Sequence, residues 1–209
     1  TPGIYPLHIE NTVGGESATI NVVVMVPASE IDDAGYLNGY RIGRYPAKPL
    51  RGNPVYRPPQ GFVEVTEANR NTPVSPNFVL GQFLCKQAGG YPKYVALRAY
   101  LLLKLEQILT ALNESGRETG AMVIMSGYRT PWYNRTIGNG AYSRHLWGGA
   151  ADFYIDEKPR DGVMDDMNND GRINRMDATW LAEFIEGMSQ RGEFGERIGG
   201  MGIYGANSA

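Results

Sequence analysis

SRHLWGGAADF, Ser143 to Phe153, is the stretch on which the reading of this chain turns. It carries one of only two histidines in the sequence, His145, and a carboxylate, Asp152, seven residues later. A neutral imidazole and a carboxylate suit a catalytic zinc, which takes three protein ligands and keeps a place for water. Their spacing is too long for neighbouring turns of one helix face. Gly148-Gly149 supplies a turn that lets them converge, and Gly149, Ala150 and Ala151 let backbone pack closely behind. Taken alone, the pair also describes a hydrogen-bonded structural histidine, so the flanking sequence has to decide.

Upstream lies SGYRTPWYN, Ser126 to Asn134, reached through the short apolar strand AMVIM. Before it, residues 93 to 112 read as a long helix. Leu101, Leu105, Leu109 and Leu112 recur at three or four residues and predict a core-facing stripe. Gly116 and Gly120 close it. Downstream, a second helix is expected over about 178–190, and RIGGMGIYG reads as a further strand. The first seventy residues are different: ATINVVVMVPA and GFVEVTE are strand candidates, Asn38-Gly39 suits a tight hairpin, and PAKPLRGNPVYRPPQG is a Pro-rich ordered loop. This predicts a β-rich module over 1–73 and a second domain over 74–209. Tyr36, Tyr40, Tyr45 and Tyr56 either face a glycan or cover a small β core. His8, in YPLHIE, reads as an ordinary strand residue.

Composition bounds the function classes. The chain has 209 residues, 42% of them hydrophobic, a net charge of −2, 27 Gly, 13 Pro and one Cys. That is enough for a sizeable core in a turn-rich fold. No polybasic patch points to nucleic acid, and no apolar run reaches a membrane span. A lone cysteine excludes an internal disulfide. A chain opening on Thr1 is consistent with a removed signal peptide, as for a periplasmic or extracellular protein.

DMNNDGRINRMD, Asp166 to Asp177, has the spacing of a calcium loop. Oxygen donors are needed at positions 1, 3, 5, 7, 9 and 12, with Gly at 6. Asp166, Asn168, Asp170, the Arg172 carbonyl, Asn174 and Asp177 fill them, with Gly171 in place. Ile173 should point into the core, and a helix should follow. The loop resembles a dockerin-type calcium repeat. With no second copy, it reads as a structural calcium staple or as a metal-free helix-capping turn.

Together the motifs S-x-H-x-x-G-x-A-x-D, SGYRT, VSPNFVLGQF (74–83) and GGMGIY (199–204) resemble the M15 family of zinc D-Ala-D-Ala peptidases over about 74–205. Gln82 stands where that family usually has an acidic residue. The resemblance implies an α+β fold of the hedgehog/DD-peptidase kind: a small, mostly antiparallel sheet flanked by helices. It implies His145 and Asp152 as zinc ligands, with Ser143 supporting a ligand carboxylate. It implies Arg129 in the cleft, holding a substrate carboxylate or a developing oxyanion, with Tyr128 and Asn134 shaping the pocket. The expected function is zinc-dependent cleavage of peptidoglycan stem peptides or crosslinks. The alternative is an inactive module that binds cell wall or protein with the same fold. The family also needs a third ligand, a late histidine, and a carboxylate base. No histidine follows His145, so both are expected beyond Ala209.

Overall fold

The computed structural model describes residues 1–120, 122–196 and 199–204. It is an α+β structure of small antiparallel sheets and few helices, in two compact units: Thr1–Leu101 with Ser126–Ala151, and Leu102–Met125 with Asp152–Ala209.

The first unit opens on a hairpin of β1 (Gly3–Glu10) and β2 (Ser17–Val24), in which Tyr5 faces Val22, Leu7 faces Ile20 and His8 faces Thr19. Alternation puts Tyr5, Leu7, Ile9, Ile20, Val22 and Val24 on one face and Pro6, His8, Glu10, Ser17, Thr19 and Asn21 on the other. The six large apolar side chains stay 42–50% exposed. His8 bonds Thr19 Oγ1 at 2.8 Å, as befits a strand residue.

The remaining strands of this unit are short. β3 (Val26–Pro27), β6 (Gly61–Val65) and β9 (Lys93–Val95) form a three-stranded sheet. β4 (Tyr36–Leu37) and β5 (Tyr40–Arg41) form a hairpin, as do β7 (Pro73–Ser75) and β8 (Phe78–Val79). The β4–β5 turn is the expected Asn38-Gly39, both at positive φ (47° and 82°), which only such residues adopt cheaply. β9 corrects the sequence reading, which ran a helix from residue 93. Tyr94 and Val95 are fully buried and pair with Glu64 and Val63, and Tyr94 Oη donates to Glu64 Oε2 at 2.6 Å. Edge pairing and burial on a sheet win those three residues. The helix α1 starts only at Ala99 and runs to Glu114.

In the second unit α1 buries Leu105, Ile108, Leu109 and Leu112, and Leu101 is buried at its start, matching the expected stripe. Gly116 ends the helix at φ 83°. β10 (Met122–Ser126) pairs with β11 (Asp152–Ile155). Between them in sequence lies α2 (Pro131–Thr136), in the first unit. The last helix, α3 (Arg175–Gln190), begins earlier than periodicity predicts because Asn174 caps it, accepting from Met176 N at 2.8 Å.

Two expectations fail here. Ile173 is 48% exposed; the buried apolar residue of its loop is Met167, whose N–H is bound to Asp177. Residues 199–204 form no strand, and Met201, Ile203 and Tyr204 are exposed, so burial gives that segment no reason to extend. Residues 197, 198 and 205 of the same motif lie outside the described residues. Among the described residues no helix is long and apolar enough to cross a membrane.

Candidate metal centre and its supports

Three of the quoted motifs meet in the first unit. Tyr128 N donates to Phe83 O at 2.9 Å, tying SGYRT to the end of VSPNFVLGQF. Arg129 N donates to His145 O at 3.2 Å, and His145 Nδ1 lies 2.7 Å from Gly127 O, tying SGYRT to SRHLW. Gly127 has to be glycine: a Cβ there would sit 2.6 Å from Phe83 Cα and 2.8 Å from Phe83 O. Gln82, in place of an acidic residue, accepts Val79 N at 2.8 Å and so caps the turn over Leu80–Phe83.

His145 sits in a 3-10 turn, Arg144–Trp147, and is 8% exposed. A neutral imidazole that donates from Nδ1 to a carbonyl carries its lone pair on Nε2. Metal-binding histidines are commonly fixed this way, since the outer bond sets tautomer and ring angle. His145 therefore fits a zinc ligand in its chemistry. Ser143 precedes the turn, half-buried and with no side-chain hydrogen bond to it.

Gly148 ends the turn at φ 61°, and its Cβ would fall 2.0 Å from Ala96 O. At Gly149 a Cβ would fall 2.2 Å from Tyr100 Oη. The diglycine is thus both the expected turn and the place where residues 96–100 press against the motif. Arg98 seals that approach through Nε to Trp147 O at 3.0 Å and N to Gly148 O at 3.1 Å.

Arg129 is half-buried, with Nε donating to Ser126 Oγ at 2.8 Å, which orients its guanidinium from within the motif. Tyr128 is buried, its hydroxyl 3.0 Å from that of Tyr45, which in turn donates to Leu146 O at 2.8 Å. Burial pushes both phenols above their ordinary range. Asn134 is buried in α2, where Nδ2 reaches the carbonyls of Asn139 (3.3 Å) and Gly140 (3.0 Å) while Oδ1 has no partner. Both residues are buried within the first unit. Tyr45 and Tyr56 join the same aromatic packing around Trp147, which stacks on Tyr142 with an interplanar angle of 3°.

Sequence reasoning missed Gln87 and Thr130. Gln87 is buried; its Oε1 accepts from Thr130 Oγ1 at 2.6 Å and its Nε2 donates to Arg41 O at 3.1 Å. Thr130 was legible: Thr before Pro is an N-cap signature, and Thr130 Oγ1 accepts Tyr133 N at 3.1 Å. Nothing in the sequence marks Gln87. Cys85 is buried, and that burial raises its thiol pKa, which disfavours a nucleophilic thiolate.

Asp152 is the first residue of β11 in the second unit and is half-buried. Among the described residues no group of three or more His, Cys, Asp or Glu side chains is placed to hold a metal ion. The loop over 166–177 is closed by its own amides. Asp166 accepts from Asp170 N (3.1 Å) and Gly171 N (2.8 Å), and Asn168 Oδ1 from Asp170 N (2.9 Å). Asp170 accepts from Arg172 N at 2.8 Å. Asp177, fully buried, accepts from Met167 N (2.9 Å), Asn168 N (3.3 Å) and Asn174 N (2.8 Å). Gly171 makes the sharp turn at φ 79°.

No curated protein and no solved structure matches the chain. Residues 76–174, a little under half of it, match the family described as Peptidase M15, and the matched segment holds Arg129, Ser143, His145 and Asp152.

Proposed function

We propose that this chain is a zinc-dependent peptidase acting on peptidoglycan stem peptides or crosslinks outside the cytoplasm. The observation that carries the reading is His145, buried within the family-matched segment with Nδ1 bound to Gly127 O at 2.7 Å. Zinc, held by His145, Asp152 and a further ligand, would supply a Lewis acid and a water acidified to near neutrality. The pairing of His145 with Asp152 rests on the sequence motif.

The chain's own groups do the rest. The Gly127 carbonyl keeps His145 in the tautomer that presents Nε2. Ser126 aims the Arg129 guanidinium, a permanent planar cation suited to a substrate carboxylate or a developing oxyanion. Tyr128 and Asn134 hold the floor. Calcium in the loop over 166–177 would act as a staple on the start of α3, a reading supported by the donor types and Gly171.

The test is digestion of purified muropeptides by the zinc-loaded protein, with product release read by chromatography. Cleavage that His145→Ala and Arg129→Gln reduce at least a hundredfold supports the reading. Muropeptide binding without cleavage, unaffected by zinc, would instead establish a binding module.

A further inference from the structure

A cavity of about 450 Å³ in the first unit is lined by Tyr36, Tyr40, Arg41, Gln87, Tyr91 and Trp132, among others. We propose that this cavity binds a carboxylate, with the Arg41 guanidinium as its anchor and aromatic rings as its walls.

The anchor is held without being neutralised. Arg41 faces Tyr36 across the β4–β5 hairpin. Its guanidinium carbon lies 5.5 Å from the Tyr36 ring centroid and 4.9 Å from that of Trp132. Stacking between two π faces fixes the plane of the guanidinium and leaves its edge N–H groups to set the chemistry. None of the residues around the cavity is Asp or Glu. A planar cation in a cavity lined by no Asp or Glu matches a carboxylate, which it can bind through paired N–H···O bonds.

The walls are built rather than accidental. Gln87, 4% exposed, donates to the Arg41 carbonyl and accepts from Thr130, the N-cap of α2. One buried amide therefore joins β5, the loop around residue 87 and the helix that carries Trp132. Trp132 N donates to Ile42 O at 3.0 Å, and a Cβ on Gly43 would come within 2.8 Å of Trp132 N. Backbone contact that close sets the distance between the tryptophan and the hairpin. The aromatic surfaces of Tyr91 and Trp132 favour a ligand whose carboxylate is attached to a body with an apolar face.

Two sources share that chemistry: an acidic sugar and the C-terminal carboxylate of a peptide. Titration of the intact, metal-free protein by calorimetry separates them. One arm uses N-acetylmuramic acid against neutral N-acetylglucosamine. The other uses a short D-alanyl peptide against its C-terminal amide. At least one acid should bind, on the order of tenfold or more tighter than its neutral partner. Arg41→Gln should erase that preference and, because the side chain is exposed and loses only its two ring contacts, lower the melting temperature by no more than a few degrees. Arg41→Lys should recover only part of it, since a point charge lacks the fork. Equal binding of acid and neutral partner in both arms, or no binding in either, overturns the proposal. So does a preference that survives Arg41→Gln. The ligand-side comparison stands even if a variant fails to fold, and no arm requires peptidase activity, so this proposal and the enzyme reading can fail separately.

Discussion

His145 Nδ1 lies 2.7 Å from the carbonyl oxygen of Gly127, a residue that tolerates no side chain because the Phe83 backbone packs against it. Gly127→Ala would set a Cβ against Phe83 Cα at 2.6 Å. The backbone must then move and take the histidine's orienting acceptor with it. We expect a stability loss of about 1–3 kcal/mol and a zinc affinity weakened about 10- to 100-fold. Chemical denaturation and competition with a chromogenic chelator measure the two. An unchanged zinc affinity would separate the Gly127 bond from metal binding.

Gly148 and Gly138 make a matched pair. Both have positive φ (61° and 77°), but a Cβ at 148 meets Ala96 O at 2.0 Å, whereas nothing lies within 4 Å at 138. Gly138→Ala carries only the backbone penalty, about 1–2 kcal/mol. Gly148→Ala adds overpacking of about 1–3 kcal/mol. Urea midpoints should order the variants as wild type, Gly138→Ala, Gly148→Ala.

Asp177 caps α3 and closes the candidate calcium loop at once. Asp177→Asn leaves one oxygen to serve three backbone donors and should cost about 2 kcal/mol. If calcium binds the folded loop, EGTA lowers the wild-type melting temperature by mass action, and the variant loses that response. A wild-type temperature insensitive to EGTA would mark the loop as a metal-free cap.

Alkaline pH should unfold the first unit's core. Burial, then the hydrogen bond to Glu64, pushes the Tyr94 phenol up to about 12. Tyr45 and Tyr128 are raised by burial as well. A phenol whose pKa is higher in the folded state holds its proton longer there. Its contribution is complete below the unfolded value of 10.0 and falls as pH rises through the window up to about 12. Denaturation at stepped pH should show stability declining above pH 10, and Tyr94→Phe should flatten part of that decline. A stability constant across the window would contradict this.

The β1–β2 hairpin offers a test of register. Ile20 and Val22 share the exposed apolar face with Tyr5 and Leu7, so Ile20→Lys removes apolar surface from water at no cost in core packing. Solubility should rise while the melting temperature stays within about 1 °C, the usual range for a neutral surface change. The same substitution at Phe62, fully buried in β6, should prevent folding.

The parts legible in sequence were those with local causes. The leucine stripe of α1, the Asn38-Gly39 turn and the Gly148 turn each follow from spacing or from a residue's own torsional freedom. The helix start was misread because Tyr94 and Val95 answer to Glu64 and Val63, about thirty residues away, and no local pattern announces that pairing. Ile173 was misplaced for a related reason: loop burial went to Met167, chosen by a bond to Asp177. At the site, His145 is singled out by its motif with Asp152 and Arg129 by the family resemblance alone, whereas Gln87 emerges only from contacts made across the fold.

Gly148 also bears on how variation at this site should be read. Every side chain at position 148 is penalised, because Ala96 O occupies the space of its Cβ. In a mutational library it would score as intolerant as His145, three residues away. That intolerance would report the shape of the chain at the turn and carry no information about catalysis. If the proposed peptidase reading holds, activity normalised to folded protein distinguishes the two: Gly148 variants that fold should lose less turnover per folded molecule than His145 variants.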